Sequence, residues 1–194
     1  MANPSPLDNN TLAFLSQVAS APGEFAGNSF ERPEDGEHLH FLTGITAKIG
    51  DFRFKRNKGD KESEKTPALN IRFRFVRHED PAVIAGERPT PLVWFSNAFS
   101  VLPPSGPVWN SMPENSQKRL SIMSGQLCDI LTKIVNYKVT SKNLTTAIND
   151  AEARINAAKD SSGEGGLLVR MRTETSESNG FKNERETLVS IESQ

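Results

Sequence analysis

The chain has 194 residues, 36% of them hydrophobic, and a mean hydropathy of -0.50, which suits a domain with a buried core and several solvated segments. Its single cysteine, Cys128, excludes an intrachain disulfide and a zinc site made of cysteines alone, and it favours a reducing compartment. The net charge of -1 hides an uneven distribution, because residues 1–40 carry six acids and one base whereas residues 48–77 carry ten bases and four acids.

Residues 1–36 are predicted to form a flexible, acidic N-terminal segment. Proline and glycine recur after residue 21, and no basic region is followed by an apolar block, so the segment does not resemble a secretory signal. No apolar run approaches the roughly 20 residues that span a bilayer. We therefore expect residues 37–194 to form a single domain, located in the cytoplasm and without a membrane partner.

A β pattern begins at Glu37. The apolar residues of its first strand are predicted to share a core-facing side, namely Leu39, Phe41, Ile45, Ala47 and Ile49. Gly44 is a candidate for a bulge or a bend. A second short run from Asp51 to Lys55 alternates Phe52 and Phe54 with the cations Arg53 and Lys55. Residues 56–65 contain no apolar side chain and are predicted to be a charged loop.

The returning strand runs from Ala68 to Arg77 and alternates more strictly than any other segment. Its core-facing residues are predicted to be Leu69, Ile71, Phe73 and Phe75. Arg72 and Arg74 fall on the opposite, solvated face. The segment is therefore predicted to be a half-buried strand whose exposed face carries guanidinium groups. Pairing in a hairpin would bring them near Arg53 and Lys55.

A further strand is predicted from Leu92 to Leu102, before the proline-rich residues 103–107. Its core side would hold Val93, Phe95, Phe99 and Val101. Trp94 would then lie on the opposite face, and Trp109 would lie in a loop. These positions make both tryptophans better candidates for stacking on nucleobases than the phenylalanines of the Ala68–Arg77 strand. For each tryptophan taken separately, packing in the core is the favoured alternative.

The period then changes to that of helices. A first helix between Ser116 and Val135, with Ser116 as N-cap, presents an apolar stripe, and a second helix is predicted from about Ser141 to Lys159. After the glycines of residues 163–166, the β pattern returns. Asn179-Gly180 indicates a hairpin whose two-residue turn would place Glu174 opposite Arg185. The fold class is α+β, with two helices inserted before a C-terminal β-hairpin.

The basic β-hairpin, defined as residues 48–77 with a net charge of +6, is the best candidate for a binding site. Phosphates are bound mainly by arginine and lysine, and single strands add stacking on aromatic rings. The candidate nucleic-acid-binding residues are Arg53, Lys55, Arg56, Lys58, Lys61, Arg72, Arg74, Arg77, Trp94 and Trp109. A solvated sheet face with ion pairs across strands is the structural alternative.

The order of these elements resembles a phage-type family of single-stranded-DNA-binding proteins. The resemblance is carried by residues 69–76, by Val93-Trp94-Phe95-Ser96-Asn97, by the helix around Leu127 to Ile134, and by Gly166 to Arg170 with the Asn-Gly hairpin. It implies an antiparallel, oligonucleotide-binding (OB)-like β-barrel or twisted sheet. It also implies a protein that coats single-stranded DNA during phage replication or recombination, without catalysis or cofactor, in the cytoplasm of the host.

Two other functions stay open. The protein could be a virion or scaffold component whose basic hairpin binds an acidic surface of another subunit, and it could form a homo-oligomer. A metal-dependent nuclease would use Glu34, Asp35 and Glu37, but their proline- and glycine-rich setting favours a solvated loop. His38 and His40 are spaced for one strand face, and we predict no metal there.

Overall fold

The computed structural model describes residues 11, 35–56, 62–87, 89–91, 93–178 and 181–192. The described part is an α+β fold with an open, antiparallel six-stranded sheet. The strands are β1 (Gly36–Phe54), β2 (Glu64–Arg77), β3 (Val93–Phe95), β4 (Phe99–Val101), β5 (Leu167–Ser178) and β6 (Phe181–Ile191). The helices are α1 (Pro81–Ile84), α2 (Pro107–Ser111), α3 (Glu114–Val135) and α4 (Leu144–Ala157), with a 3-10 turn at Ser141–Asn143 before α4.

The strand order is β3-β2-β1-β5-β6, and β4 also pairs with β2. This order leaves β3 and β6 as edge strands among the described residues. The predicted α+β class with an antiparallel sheet is confirmed, whereas the OB-like barrel is not, because the sheet is open. No helix in the described part of the chain is both long and apolar enough to cross a membrane.

The chain divides into two compact units, and β1, β2 and α4 each contribute residues to both. Unit 1 includes Thr46–Arg72 and Ala98–Ala151, and unit 2 includes Gly27–Ile45, Phe73–Asn97 and Glu152–Gln194. The core of unit 1 is formed by the apolar stripes of α3 and α4 and by apolar residues of the strands. The core of unit 2 is formed by β1, β2, β3 and β5, with single residues from α4 and β6.

Strand β2 forms as its alternation predicts. Its four apolar residues Leu69, Ile71, Phe73 and Phe75 are buried, and Arg72 and Arg74 are exposed. Burying one such side chain contributes about 1.5–3 kcal/mol, so the pattern fixes which face of the strand turns inward.

Strand β1 is one long strand whose inward face changes along its length. Ile45 and Ala47 are buried as predicted, but His40 and Leu42 take the inward positions that were expected for Leu39 and Phe41. Ile49 is 45% exposed, which corrects its assignment to the core. The buried positions change from even to odd numbers across Thr43 and Gly44, at the glycine expected to mark a bulge or a bend.

The two predicted helices form with the expected stripes. Leu120, Met123, Leu127, Leu131 and Ile134 are buried on α3, and Leu144, Ala147, Ile148, Ala151 and Ile155 are buried on α4. Helix α3 begins earlier than predicted, with Pro113 at the N-cap in place of Ser116. It ends at Asn136, whose left-handed backbone lets its amide donate to the carbonyl of Thr132.

The C-terminal hairpin has the predicted register, with Glu174 opposite Arg185. The register shifts by one residue between Arg170 and Met171, where β6 contributes an extra residue. Strand β5 also pairs with β1, from Gly36 opposite Thr173 to Leu42 opposite Leu167. Because β1 and β5 are far apart in sequence, this pairing was not predicted.

Candidate nucleic-acid interface

The exposed cations of unit 1 lie on the solvated positions of β1 and β2. Phe52 and Phe54 point inward, and the alternation between them leaves Arg53 and Lys55 exposed. Arg72 is exposed for the same reason on β2. Arg53, Lys55 and Arg72 make no ion pair or hydrogen bond with the residues that the structure describes, so their charges are available to an anion.

Two other cations of the basic β-hairpin are partly neutralised by nearby carboxylates. Arg56 forms an ion pair with Glu64, which raises the pKa of the guanidinium mainly through a hydrogen bond, and its Nη1 also donates to the carbonyl of Ser111 at 3.2 Å. Lys65 Nζ lies 3.2 Å from Asp51 Oδ2. Because these pairs are about half exposed, each contributes little to stability.

The unit 1 cations form a stripe along the hairpin and not a compact cluster. The side-chain amide of Asn70 occupies the space where a side chain of Gly50 would lie, which fixes the local alignment of β1 and β2. Because the strands of a hairpin are antiparallel, Arg53 lies on the loop side of this contact and Arg72 lies on its other side. The closeness of Arg53 and Lys55 to Arg72 and Arg74 stays a prediction.

Trp109 lies in the short helix α2 and not in a loop. Its side chain is half-buried, and its neighbour Val108 is exposed. Gln117 Nε2 donates to the carbonyls of Trp109 at 2.9 Å and Met112 at 3.1 Å. Since Arg56 bonds to Ser111 at the end of this helix, Trp109 is held on a segment tied to the basic β-hairpin.

Trp94 is buried, which corrects its assignment to the exposed face. Only 4% of it is exposed, and its ring stacks on Phe75 with centroids 5.4 Å apart and meets the ring of His40 edge-on at 4.4 Å. A buried indole cannot stack on a nucleobase in this conformation. Trp94 is therefore a core residue of unit 2.

The cause of this reversal is one extra residue in the chain that pairs with β2. Ile71 pairs with Phe99 and Arg74 pairs with Phe95, so the two residues between them on β2 face three residues, Ser96 to Ala98. Ser96 bridges the break, because its hydroxyl oxygen accepts a hydrogen bond from the backbone amide of Phe73 at 2.9 Å. A bulge of this kind reverses the phase of the strand, which turns Trp94 inward and Phe95 outward.

Phe95 is the exposed aromatic residue that sequence reasoning missed. It is 45% exposed and lies directly opposite Arg74. The polar pair Ser96-Asn97 marks the break, but a short polar interruption also fits a continuous strand, so the pattern alone does not reveal the bulge.

The remaining predicted cations have different surroundings. Arg74 is exposed and its Nη1 donates to Thr43 Oγ1 at 2.9 Å. Arg77 is half-buried, with its Nη2 3.3 Å from Nδ1 of His38. Lys58 and Lys61 lie outside the described residues.

The acids near the start of β1 hold strands together. Glu37 forms an ion pair with Arg172 on β5, and Thr175 Oγ1 donates to Asp35 Oδ1 at 2.9 Å. Both acids line a shallow pocket of about 300 Å³. The residues that the structure describes contain no group of three or more His, Cys, Asp or Glu side chains able to hold a metal ion. Glu34 lies outside them.

The single cysteine lies on helix α3. Burial, followed by the charge of Asp129, raises the pKa of the Cys128 thiol to about 11. The thiolate is the nucleophilic form, and at neutral pH it is scarcely populated here. The thiol therefore acts as a packing group.

Comparisons of the chain with protein-family models, with curated proteins and with solved structures returned no match.

Proposed function

We propose that the protein binds single-stranded nucleic acid without catalysis, along the stripe of exposed cations on β1 and β2. The observation that carries the proposal is the exposure of Arg53, Lys55 and Arg72 without a carboxylate partner among the described residues. Such side chains contact phosphates at little desolvation cost. An extended row of cations matches the row of phosphates in a nucleic-acid strand better than it matches a compact anion. Arg56 and Trp109 extend the same surface.

The resemblance to phage-type single-stranded-DNA-binding proteins is the reason for proposing DNA in preference to RNA, and a role in phage replication or recombination. The OB-like barrel belongs to that resemblance. Binding does not require a closed barrel, because an open antiparallel sheet also presents rows of outward side chains.

Fluorescence anisotropy with a labelled oligothymidylate tests the proposal. Binding at low salt is expected, with an association constant that falls linearly with salt on logarithmic axes because counterions are released from the phosphates. Absence of binding at low salt, or affinity independent of salt, would contradict the proposal.

A further inference from the structure

The exposed face of β3 carries two large apolar side chains. Val93 is 43% exposed and Phe95 is 45% exposed, while Trp94 between them fills the core of unit 2. Among the residues that the structure describes, β3 is at an edge of the sheet, so these side chains have a neighbouring strand there on one side only. A flat ring with this much exposure offers a surface on which a planar group can stack.

Arg74 is the residue of β2 that pairs with Phe95. Phe95 and Arg74 are paired positions of antiparallel strands, which places their side chains on the same face. The guanidinium is anchored on its other side, because Nη1 donates to Thr43 Oγ1 at 2.9 Å. The row Phe95, Arg74, Thr43 therefore crosses three strands, with a ring at its edge and a fixed cation at its centre.

The next row of the same face is apolar and aromatic. Val93 is paired with Val76, and the ring of Phe41 meets the ring of His78 with centroids 4.9 Å apart. All four side chains are at least partly exposed. These two rows contain no acidic residue, and the carboxylate beside the second row is that of Glu79, whose Oε1 lies 4.0 Å from Nδ1 of His78.

We propose that Phe95 is a base-stacking position that takes an unpaired nucleobase on its ring while Arg74 binds an adjacent phosphate. The inference rests on the proposed function and deepens it, because it assigns a nucleobase contact to unit 2 in addition to the phosphate contacts of unit 1. Bases in a duplex are already stacked and paired, so a ring on a sheet surface selects single strands.

An abasic oligonucleotide separates stacking from phosphate binding, because it keeps the phosphates of oligothymidylate and lacks the bases. The affinity of both ligands is measured for the full chain and for Phe95→Ala, Phe95→Leu and Phe95→Tyr. Leucine keeps apolar area without a ring, and tyrosine keeps the ring. Ile84→Ala is the matched control, because Ile84 is 74% exposed on α1 of the same unit.

Phe95→Ala and Phe95→Leu are expected to weaken oligothymidylate binding roughly 5- to 100-fold and to leave abasic binding unchanged. Phe95→Tyr and Ile84→Ala should bind both ligands as the unchanged chain does. The intrinsic fluorescence of each variant checks that the environment of buried Trp94 is intact.

Three outcomes overturn the inference and are distinguishable. If the unchanged chain binds oligothymidylate and Phe95→Ala binds it equally well, stacking is wrong while the proposed function stands. If the unchanged chain binds neither ligand, the proposed function fails as well. If Phe95→Ala alters only the oligomeric mass measured by light scattering, this face contacts another protein chain and not a nucleobase.

Discussion

Trp94 and Phe95 show how much of this surface depends on single residues. They are neighbours of similar chemistry, yet one is buried against Phe75 and His40 and the other is exposed beside Arg74. The alternation of β3 would fit either arrangement, and the one extra residue between Ser96 and Ala98 selects between them.

The adjacent residues Arg72 and Phe73 test the inward and outward assignment of β2. Phe73→Ala should lower the free energy of unfolding by about 3–5 kcal/mol, because it removes a fully buried ring and leaves a cavity. Arg72→Ala should change it by less than about 0.5 kcal/mol. Urea unfolding followed by circular dichroism measures both, and equal losses in the two variants would refute the assignment.

Tyr137, the only tyrosine of the chain, is a direct test of the contact between the end of α3 and α4. Its hydroxyl donates to Asp150 Oδ2 at 2.7 Å, and this bond, with partial desolvation and the carboxylate charge, raises the pKa of the phenol to about 12. Because the folded pKa is raised, the stability from this bond is complete below about pH 10 and is lost as the pH rises through about 12.

Absorbance titration of tyrosinate should therefore show a midpoint near 12, and Asp150→Ala should move it toward about 10. Asp129→Ala removes the same charge from α3 and should leave the midpoint in place. Circular dichroism at each pH shows whether the fold persists. A midpoint near 10 in the folded, unchanged chain would rule out the bond.

At the scale of elements, the pairing of β1 with β5 depends on a glycine. Gly166 precedes β5 with a φ of +152°, and a Cβ there would overlap the carbonyl oxygen of Leu42 on β1. The overlapping atom belongs to the backbone of Leu42, which cannot move aside as a flexible side chain can. A residue larger than glycine is therefore excluded at position 166 both by this overlap and by the positive φ.

Gly166→Ala is expected to destabilise the protein by about 1–3 kcal/mol, because backbone strain adds to overlap with Leu42. Gly44→Ala is the control, since a Cβ at Gly44 has no atom within 4 Å and its backbone is not left-handed. That change should be neutral within about 0.5 kcal/mol or slightly stabilising. Thermal unfolding of both variants measures the difference, and a neutral Gly166→Ala would mean that the two strands do not approach this closely.

At the scale of the whole molecule, charge is segregated within a chain whose net charge is only -1. Ten of its 23 basic residues lie in residues 48–77, and of these Arg56 and Lys65 form ion pairs with carboxylates. A field from one local stripe attracts a polyanion where a uniform surface of the same net charge would not.

The double variant Arg53→Ala, Arg72→Ala tests whether this stripe carries the binding. It should reduce the slope of log affinity against log salt by roughly 1.4, because each phosphate of a single strand that a cation neutralises adds about 0.7 to that slope. Lys138→Ala, Lys142→Ala removes the same total charge from exposed positions between α3 and α4, and its slope should equal that of the unchanged chain. Equal slopes in both double variants would show that net charge, and not the stripe, controls affinity.

Local periodicity was sufficient for much of the fold. The sequence alone determined the inward face of β2, the apolar stripes of α3 and α4, and the opposition of Glu174 and Arg185. Each of these follows from residues close together in the chain, through alternation, helical spacing or a two-residue turn.

What the tertiary structure decided depends on pairing between distant segments. The phase changes in β1 and at β3 and the neutralisation of Arg56 by Glu64 all follow from how strands align. One added residue in a strand exchanges the inward and outward faces of all the residues beyond it. A single sequence does not show which strand of a pair contains the added residue. For this reason the sequence located the basic β-hairpin, but only the tertiary structure showed that Phe95 is exposed and Trp94 is buried.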